Sequence, residues 1–182
     1  MLILEDKKYI KAAFTSEDEL EQVVVKNYEF IFGPSSVYLP KKLIKTSDGF
    51  GTIPDGFAID LASKKWYLVE AELLKHQVWS HIAPQVSKQI IAAKQPLSKR
   101  TIIDLAVELY KADATIKEKF AELGIRDLDV RRVLIDIVDK DPEIGIPIDE
   151  ISQDLFEWAR TLKNSFQGLV KDGTGNRNNK HF

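Results

Sequence analysis

The segment GTIPDGFAIDLASKKWYLVEAEL, residues 51–73, predicts two adjacent strands joined by a short turn, and the other predicted elements lie around it. Glu70 and Glu72 share one face of the second strand because strand side chains alternate, and apolar side chains fill the other face. Asp55 follows Pro54 near the start of the first strand. Buried carboxylates need a metal ion or a hydrogen-bond donor. The stretch therefore predicts three carboxylates at the ends of two neighbouring strands, with a cation among them.

Length and composition indicate a globular protein with one core. The chain has 182 residues, of which 44% are hydrophobic and 30% are charged. We expect a single domain over residues 1–170 and a disordered tail over 171–182, where His181 lies. The chain has no cysteine, which excludes disulfides and thiolate chemistry. The N-terminus lacks the pattern of a signal peptide, no apolar run is long enough for a membrane span, and we expect a cytoplasmic protein.

Residues 14–33 predict the first helix. Ser16 is the expected N-cap, and Glu19 completes a capping box three residues later. An apolar face follows at helical spacing, and it includes Val25. Glu21 projects into the middle of that face, where neither capping nor composition explains an acid. It is either a functional carboxylate or a side chain that reaches solvent or a lysine.

Three strands are predicted next, over residues 36–46, 52–61 and 65–73, and they form an antiparallel meander. Pro54 cannot donate to a strand ladder, so it marks the place where the second strand begins and the sheet opens. Asp55 lies at that place, whereas Asp60 points to the opposite side. Asp55 is therefore the better candidate for a functional site.

A helix is predicted over residues 80–93. Its buried side includes Trp79 and Ile82, whereas its polar side carries His81, Gln85 and Lys88. Those polar side chains either face the acidic strand or simply face water. Pro84 is acceptable because it lies near the helix start.

The second half of the chain predicts one or two helices over 98–123, a fourth strand over 131–139 and a covering helix over 148–170. Asp136 and Asp139 read as ordinary acids that flank the strand. We find no internal repeat, glycine-rich phosphate loop, Ser-His-Asp set or two-histidine metal spacing.

Residues 73–100 contain basic side chains and no acid, although the whole chain has a net charge of −2. Such a block is typical of a polyanion-binding surface, and a solvated helix face is the alternative. If the ligand is nucleic acid, the loop lysines Lys41, Lys42 and Lys45 are secondary candidates. The main candidate contacts are Lys75, His81, Lys88, Lys94, Lys99 and Arg100.

The order helix, three-strand meander, helix and strand, with Pro54-Asp55 and Glu70-Ala71-Glu72, resembles the PD-(D/E)XK nuclease superfamily over roughly residues 17–89. The motif of that superfamily is Pro-Asp followed by acid-any-Lys, and Glu72 occupies the lysine position, as in some restriction endonucleases of the superfamily. The resemblance implies an α/β fold with a restriction-endonuclease-like αβββαβ core, in which helices flank a mixed sheet. It also implies a helix-borne glutamate, which Glu21 fits, and a glutamine-bearing helix, which Gln85 and Gln89 fit.

Phosphodiester hydrolysis needs an activated water and neutralisation of the phosphate charge, and Mg²⁺ or Mn²⁺ held by oxygen ligands supplies both. Asp55, Glu70 and the carbonyl of Ala71 are the expected ligands, and Glu21 could bind a second ion or a water of the first. Glu72 would orient or deprotonate the attacking water. Gln85, or Lys88 one turn beyond it, would contact the phosphate or the water.

The sequence therefore predicts a metal-dependent endonuclease acting on DNA, of restriction, homing or repair type, and a possible homodimer. One alternative is a nuclease-fold protein that binds nucleic acid or a protein without catalysis. A two-carboxylate hydrolase acting on sugars is a weaker alternative, because Glu70 and Glu72 on one strand face flank no groove.

Overall fold

A mixed four-stranded sheet forms the centre of this computed structural model, which describes the backbone of residues 2–4, 7–9 and 14–163 and the side chains of residues 14–162. The strands there are β1 (Leu2–Leu4), β2 (Lys7–Tyr9), β3 (Ser36–Pro40), β4 (Ile44–Lys45), β5 (Gly51–Thr52), β6 (Gly56–Asp60), β7 (Lys65–Val69) and β8 (Glu143–Gly145). The helices are α1 (Glu17–Lys26), α2 (Tyr28–Phe32), α3 (Ala83–Ala93), α4 (Pro96–Ala112), α5 (Ala114–Glu122), α6 (Val130–Val138) and α7 (Gln153–Lys163). The predicted α/β class is confirmed.

The central sheet has the order β3-β6-β7-β8. Neighbouring strands among β3, β6 and β7 are antiparallel, as the predicted meander requires, and β8 pairs with β7 in parallel. The register aligns Pro40, Gly56, Val69 and Gly145 at one end of the sheet, which we call the acidic end. The residues that follow β3 and β7, and the residue that precedes β6, therefore emerge side by side.

The two faces of the sheet enter separate apolar clusters, because strand side chains alternate. Ala58, Tyr67 and Val69 pack with α1 and α2 on one face. Phe57 and Leu68 belong to the larger cluster on the other face, which includes side chains of α3 to α7. The sheet is thus a middle layer between two layers of helices.

The first predicted helix is two helices, because Asn27 interrupts it. Ser16 caps α1 as predicted, since its hydroxyl accepts the N–H of Glu19 at 3.3 Å. The carboxylate of Glu19 accepts from Thr15 instead of closing a capping box on Ser16. Val25 was wrongly predicted to be buried and is 49% exposed.

The strands predicted over 36–46 and 52–61 are each divided into two pieces. At the acidic end the chain leaves the central sheet after Pro40 and returns at Gly56, and the segment between forms the separate β4-β5 pair. Proline cannot donate to a ladder, and Pro54 lies just before β6 as the sequence predicts. The third strand ends at Val69, earlier than the predicted residue 73.

The helix predicted over 80–93 begins with a π-helical turn at Val78–Ile82, which continues into α3. Pro84 lies in the first turn of α3, as expected. Trp79 was predicted on the buried side and is 56% exposed. The π turn shifts its direction relative to the α-helical spacing on which that prediction relied.

The fourth strand was predicted in the wrong place. Residues 131–138 belong to α6, Asp139 is its C-cap, and β8 supplies the fourth strand. Helical spacing explains the burial within α6, which covers Val130, Leu134, Ile137 and Val138.

The segment predicted as helices over 98–123 is α4 and α5, and the predicted covering helix is α7 up to residue 163. The rest of that helix, the predicted tail and His181 lie outside the described residues. Within the described part of the chain, no helix is long and apolar enough to cross a membrane.

Candidate metal and phosphate site

The register of the central sheet brings Lys41, Asp55 and Glu70 together. Pro40 pairs with Gly56, and Gly56 pairs with Val69 on the other side. Lys41 follows Pro40, Asp55 precedes Gly56 and Glu70 follows Val69. Each is the first residue beyond the paired part of its strand. Asp55 and Glu70, two of the three carboxylates predicted to converge, are therefore neighbours at the acidic end.

Asp55 is held by contacts to three parts of the chain. Its Oδ2 accepts the N–H of Ala71 at 2.8 Å, and its Oδ1 lies 3.0 Å from Nζ of Lys41. The hydroxyl of Tyr38 donates to its backbone carbonyl at 3.3 Å. The Tyr38 ring lies so close to Gly56 that a Cβ there would overlap it, so this position requires glycine.

Asp60, the acid that was not chosen, has a structural role at the opposite end of β6. Its carboxylate accepts the N–H groups of Ala62 and Ser63 and the hydroxyl of Ser63. It caps the turn to β7, which supports the preference for Asp55.

The backbone of residues 70–72 points alternately to the two sides of its strand. The N–H groups of Glu70 and Glu72 donate to Gly145 and Pro147, on the side of β8. The N–H of Ala71 points the other way, to Asp55. Because the N–H and C=O of one strand residue point to the same side, the carbonyl of Ala71 also faces the side of Asp55.

Glu70 is 3% exposed, and two amide groups from α3 hold its carboxylate. Gln89 Nε2 donates to its Oε2 at 2.7 Å, and Gln85 donates to its Oε1. The pKa of Glu70 is raised to about 8, chiefly by burial and secondly by the negative charge of Asp55. Among the described residues, no lysine, arginine or histidine lies within ion-pair distance of it. The carboxylate is therefore desolvated without a compensating charge.

Lys41 places a cation beside these acids. It follows β3 and lies outside the motif formed by Pro54-Asp55 and Glu70-Ala71-Glu72. Its Nζ lies 2.7 Å from both carboxylate oxygens of Glu21 and 3.0 Å from Asp55. The two carboxylates hold the pKa of Lys41 above its usual value, although burial opposes them. Burial raises the pKa of Glu21, and Asp55 adds to that rise. The sequence left open whether Glu21 is a functional carboxylate or a side chain that reaches solvent or a lysine. Its contact with Lys41 agrees with the lysine alternative.

Glu72 lies next to Glu70 on the strand but faces other partners. Its Oε2 lies 2.9 Å from Nδ1 of His76, and its Oε1 lies 3.9 Å from Nε2 of His81. Glu17 of α1 contacts the same His76 nitrogen at 2.7 Å. Burial raises the pKa of Glu72 to about 7 and His76 opposes the rise. The sequence prediction missed His76 and Glu17.

The histidine contact had only a weak signal in the sequence. His76 and His81 are five residues apart, which fits neither the i+3 nor the i+4 spacing of an α-helical face. His76 lies in the bend before the π turn, and that turn carries His81.

The predicted nucleic-acid contacts do not form one surface. Lys94 lies 3.0 Å from Asp141, and Lys99 donates to the carbonyl of Asp139 at 2.6 Å. The segment 139–141 adjoins the start of β7, since Trp66 Nε1 donates to the carbonyl of Lys140. Lys94 and Lys99 are thus at the end of the sheet opposite the acidic end.

The remaining candidates are more scattered. Arg100 lies 3.9 Å from Asp104 within α4, and Lys88 lies over the Phe50 ring at 5.3 Å. Lys75 is exposed in the turn that follows the acidic pair, and His81 contacts Glu72. Of the predicted set, Lys75 and His81 are the ones close to Glu70 and Glu72 along the chain.

Comparison of this chain with protein-family models, with curated proteins and with solved structures finds no match.

Proposed function

We propose that this chain is a divalent-cation-dependent endonuclease that hydrolyses phosphodiester bonds in DNA. The observation that carries the proposal is Glu70, a buried carboxylate beside Asp55 that amides hold and no cation neutralises within the described residues. Burying such a charge is unfavourable unless a cation compensates it. Glu70 follows the last paired residue of β7, at the acidic end of the sheet where Asp55 also lies.

The donor groups fit Mg²⁺ or Mn²⁺. Asp55, Glu70 and the carbonyl of Ala71 offer only oxygen, which these hard cations prefer. Each carboxylate oxygen has a second acceptor position beyond the hydrogen bond it already makes. The Oε1 of Gln89 is buried and has no hydrogen-bond partner among the described residues, so one more oxygen near Glu70 lacks a donor there. When bound, the ion would activate water and stabilise charge on the phosphate.

The order of elements supports a restriction-endonuclease-like core within this proposal. α1 carries Glu21, β3, β6 and β7 form the meander, α3 carries Gln85 and Gln89, and β8 closes the sheet. Without α2, the β4-β5 pair and the helices α4 to α6, these elements follow the αβββαβ order, with β8 as the fourth strand. In this core, Asp55 and Glu70 hold the ion, and Gln85 and Gln89 orient Glu70.

Lys41 replaces the lysine that position 72 lacks. Its ammonium group is fixed beside Asp55 and would interact with the negatively charged phosphate. Glu72 has no part in the hydrolytic step in this proposal, because both of its oxygens face histidines. This assignment departs from the sequence-based expectation that Glu72 orients the water.

The test is the rate of nicking of a supercoiled plasmid in Mg²⁺ and, separately, in Mn²⁺. We expect Asp55→Asn and Glu70→Gln to lower the rate at least about 100-fold, since each removes a charged ligand. Asp60→Asn is the matched control, because it changes an acid of the same strand that caps a turn, and its rate should stay within about twofold. Wild-type rates in both site variants would disprove the assignment.

One observation favours a second candidate, a protein of this fold that binds DNA or a protein without cutting. Lys41 already forms ion pairs with both Glu21 and Asp55 without a metal ion. Calorimetry distinguishes the two candidates: no heat on addition of Mg²⁺ or Mn²⁺, together with retained DNA binding and no nicking, supports this second function.

A further inference from the structure

A second group of metal-binding side chains lies beside the acidic end. Glu72, His76 and His81 are the one set of three acidic or histidine side chains among the described residues whose donor atoms all lie within 4.8 Å of one another. Glu17 adds a second carboxylate at His76. We call these four residues the histidine cluster.

The backbone fixes the cluster from separate elements. The N–H of Glu72 donates to Pro147, which continues the parallel pairing beyond β7. A turn brings His76 back, since its N–H donates to the carbonyl of Leu73 at 2.9 Å. The π turn then directs His81 toward His76, and the two rings meet edge-on with centroids 4.9 Å apart. The cluster therefore depends on the fold and not on one helix face.

The distances suit a small transition-metal ion. Two ligands bound to zinc in a tetrahedral site lie about 3.3 Å apart, given bonds of roughly 2.0–2.1 Å. The observed separations are 2.7 Å from His76 to Glu17, 2.9 Å from His76 to Glu72 and 3.9 Å from His81 to Glu72. Small side-chain adjustments would bring all of them to ligand spacing.

Burial and charge support the same reading. Glu72 is 1% exposed, whereas His81 is exposed, so the cluster has a buried carboxylate at its base and access from water on one side. Its two carboxylates carry the negative charge that a divalent ion neutralises. Imidazole nitrogens favour zinc-like ions, while Mg²⁺ prefers oxygen alone.

We propose that Glu72, His76 and His81, with Glu17 as the adjoining carboxylate, form a binding site for a divalent transition-metal ion of the Zn²⁺ type. This site is separate from the oxygen-only site at Asp55 and Glu70 and does not depend on nuclease activity. The ion would join the start of α1 to the end of β7 and to the π turn that leads into α3. It would therefore stabilise the elements that surround Glu70.

A protonated His76 shared by Glu17 and Glu72 is the competing explanation of the same contacts. It needs no metal, and it predicts that the cluster does not bind zinc. Direct binding measurements separate the two explanations.

The experiment is a calorimetric titration of Zn²⁺ into the full, chelator-treated chain, with Co²⁺ absorption as a second readout of the ligands. It uses an Asp55→Asn background to remove the other site. We expect one ion per chain, and Mg²⁺ in 100-fold excess should not displace it. His76→Gln and His81→Gln should each weaken binding at least about tenfold and change the Co²⁺ spectrum. Zn²⁺ should raise the unfolding midpoint of the background protein but not that of the two histidine variants.

His181→Gln is the control, because it removes the third histidine of the chain, which is not one of the four residues of the histidine cluster. Its binding should equal that of the background protein. Absence of Zn²⁺ binding, unchanged binding in both cluster variants, or loss of binding in His181→Gln would each overturn the proposal. Since the readout is metal binding in an Asp55→Asn protein, a failed nuclease assay would leave this result unaffected.

Discussion

The paired strands β7 and β8 have a buried glutamate near each end, and the two glutamates have different partners. Glu143, which is 7% exposed at the start of β8, lies 2.7 Å from the ammonium of Lys65. Glu70, which is 3% exposed just past the end of β7, receives amide hydrogen bonds and has no cation within ion-pair distance among the described residues. A carboxylate that only supports the fold is paired, and the one left without a cation is the better candidate for an ion ligand.

The largest expected effect concerns the pH dependence of stability in the metal-free protein. The pKa of Glu70 is about 8 in the folded chain, against an ordinary value of 4.5. Between these values the folded state keeps a proton that the unfolded chain has lost, so the free energy of unfolding falls as pH rises. We expect a loss of roughly 2–4 kcal/mol from about pH 5 to pH 8.

Glu70→Gln should remove the contribution of Glu70 and leave that of Glu72, whose pKa of about 7 acts in the same direction. Urea unfolding in chelator at several pH values measures the difference. Asp55→Asn should reduce the slope less, because burial is the larger cause of the shift and Asp55 the second. A variant with Glu70→Gln that keeps the wild-type slope would show that Glu70 does not hold the proton.

The next effect tests the paired end of the comparison. Lys65→Met removes the cation that pairs with the buried Glu143, whose Oε2 has no hydrogen-bond partner in the described part of the chain. We expect urea unfolding to show a loss of about 1–3 kcal/mol, limited because the Lys65 side chain is partly exposed. Lys64→Met is the neighbouring control and should change stability by less than about 0.5 kcal/mol.

A second substitution completes this test. Adding Glu143→Gln to Lys65→Met should recover part of the loss, because no unpaired charge remains buried. If Lys65→Met is as stable as the control, the ion pair of Glu143 with Lys65 does not stabilise the fold, and the proposed difference between Glu143 and Glu70 fails.

The period of two within a strand was enough to predict which side of the sheet the candidate acids occupy. Phe57 and Ile59 belong to the same cluster as Trp66 and Leu68, so Asp55 and Glu70 project on one side as expected. Spacing along α3 put Gln85 on the polar side, which either faces the acidic strand or faces water, and its hydrogen bond to Glu70 agrees with the first alternative. These predictions depend on local geometry, which the sequence encodes directly.

Lys41, His76 and the position of β8 could not be predicted in the same way. Lys41 reaches Asp55 through the pairing of β3 with β6, a contact between distant parts of the chain. The nine residues of α6 are rich in β-branched side chains, and a short apolar run of this kind fits a strand or a buried helix. Packing against the sheet decides between them, and that information is not local.

The smallest expected change in stability tests whether Lys41 competes with an ion at the unpaired end. Lys41 is about half exposed, so Lys41→Met should lower the free energy of unfolding by no more than about 1 kcal/mol. Removing its positive charge frees the Oδ1 of Asp55, so calorimetry should show Mg²⁺ binding at least as tightly as in the wild type. Plasmid nicking should nevertheless fall, because the charge that faces the phosphate is lost.

Lys42→Met, one residue away, should match the wild type in both measurements. If Mg²⁺ binding instead weakens in Lys41→Met, Lys41 helps to position the carboxylates and does not compete with the ion. Lys41 and Lys65 would then both support the carboxylates that they pair with.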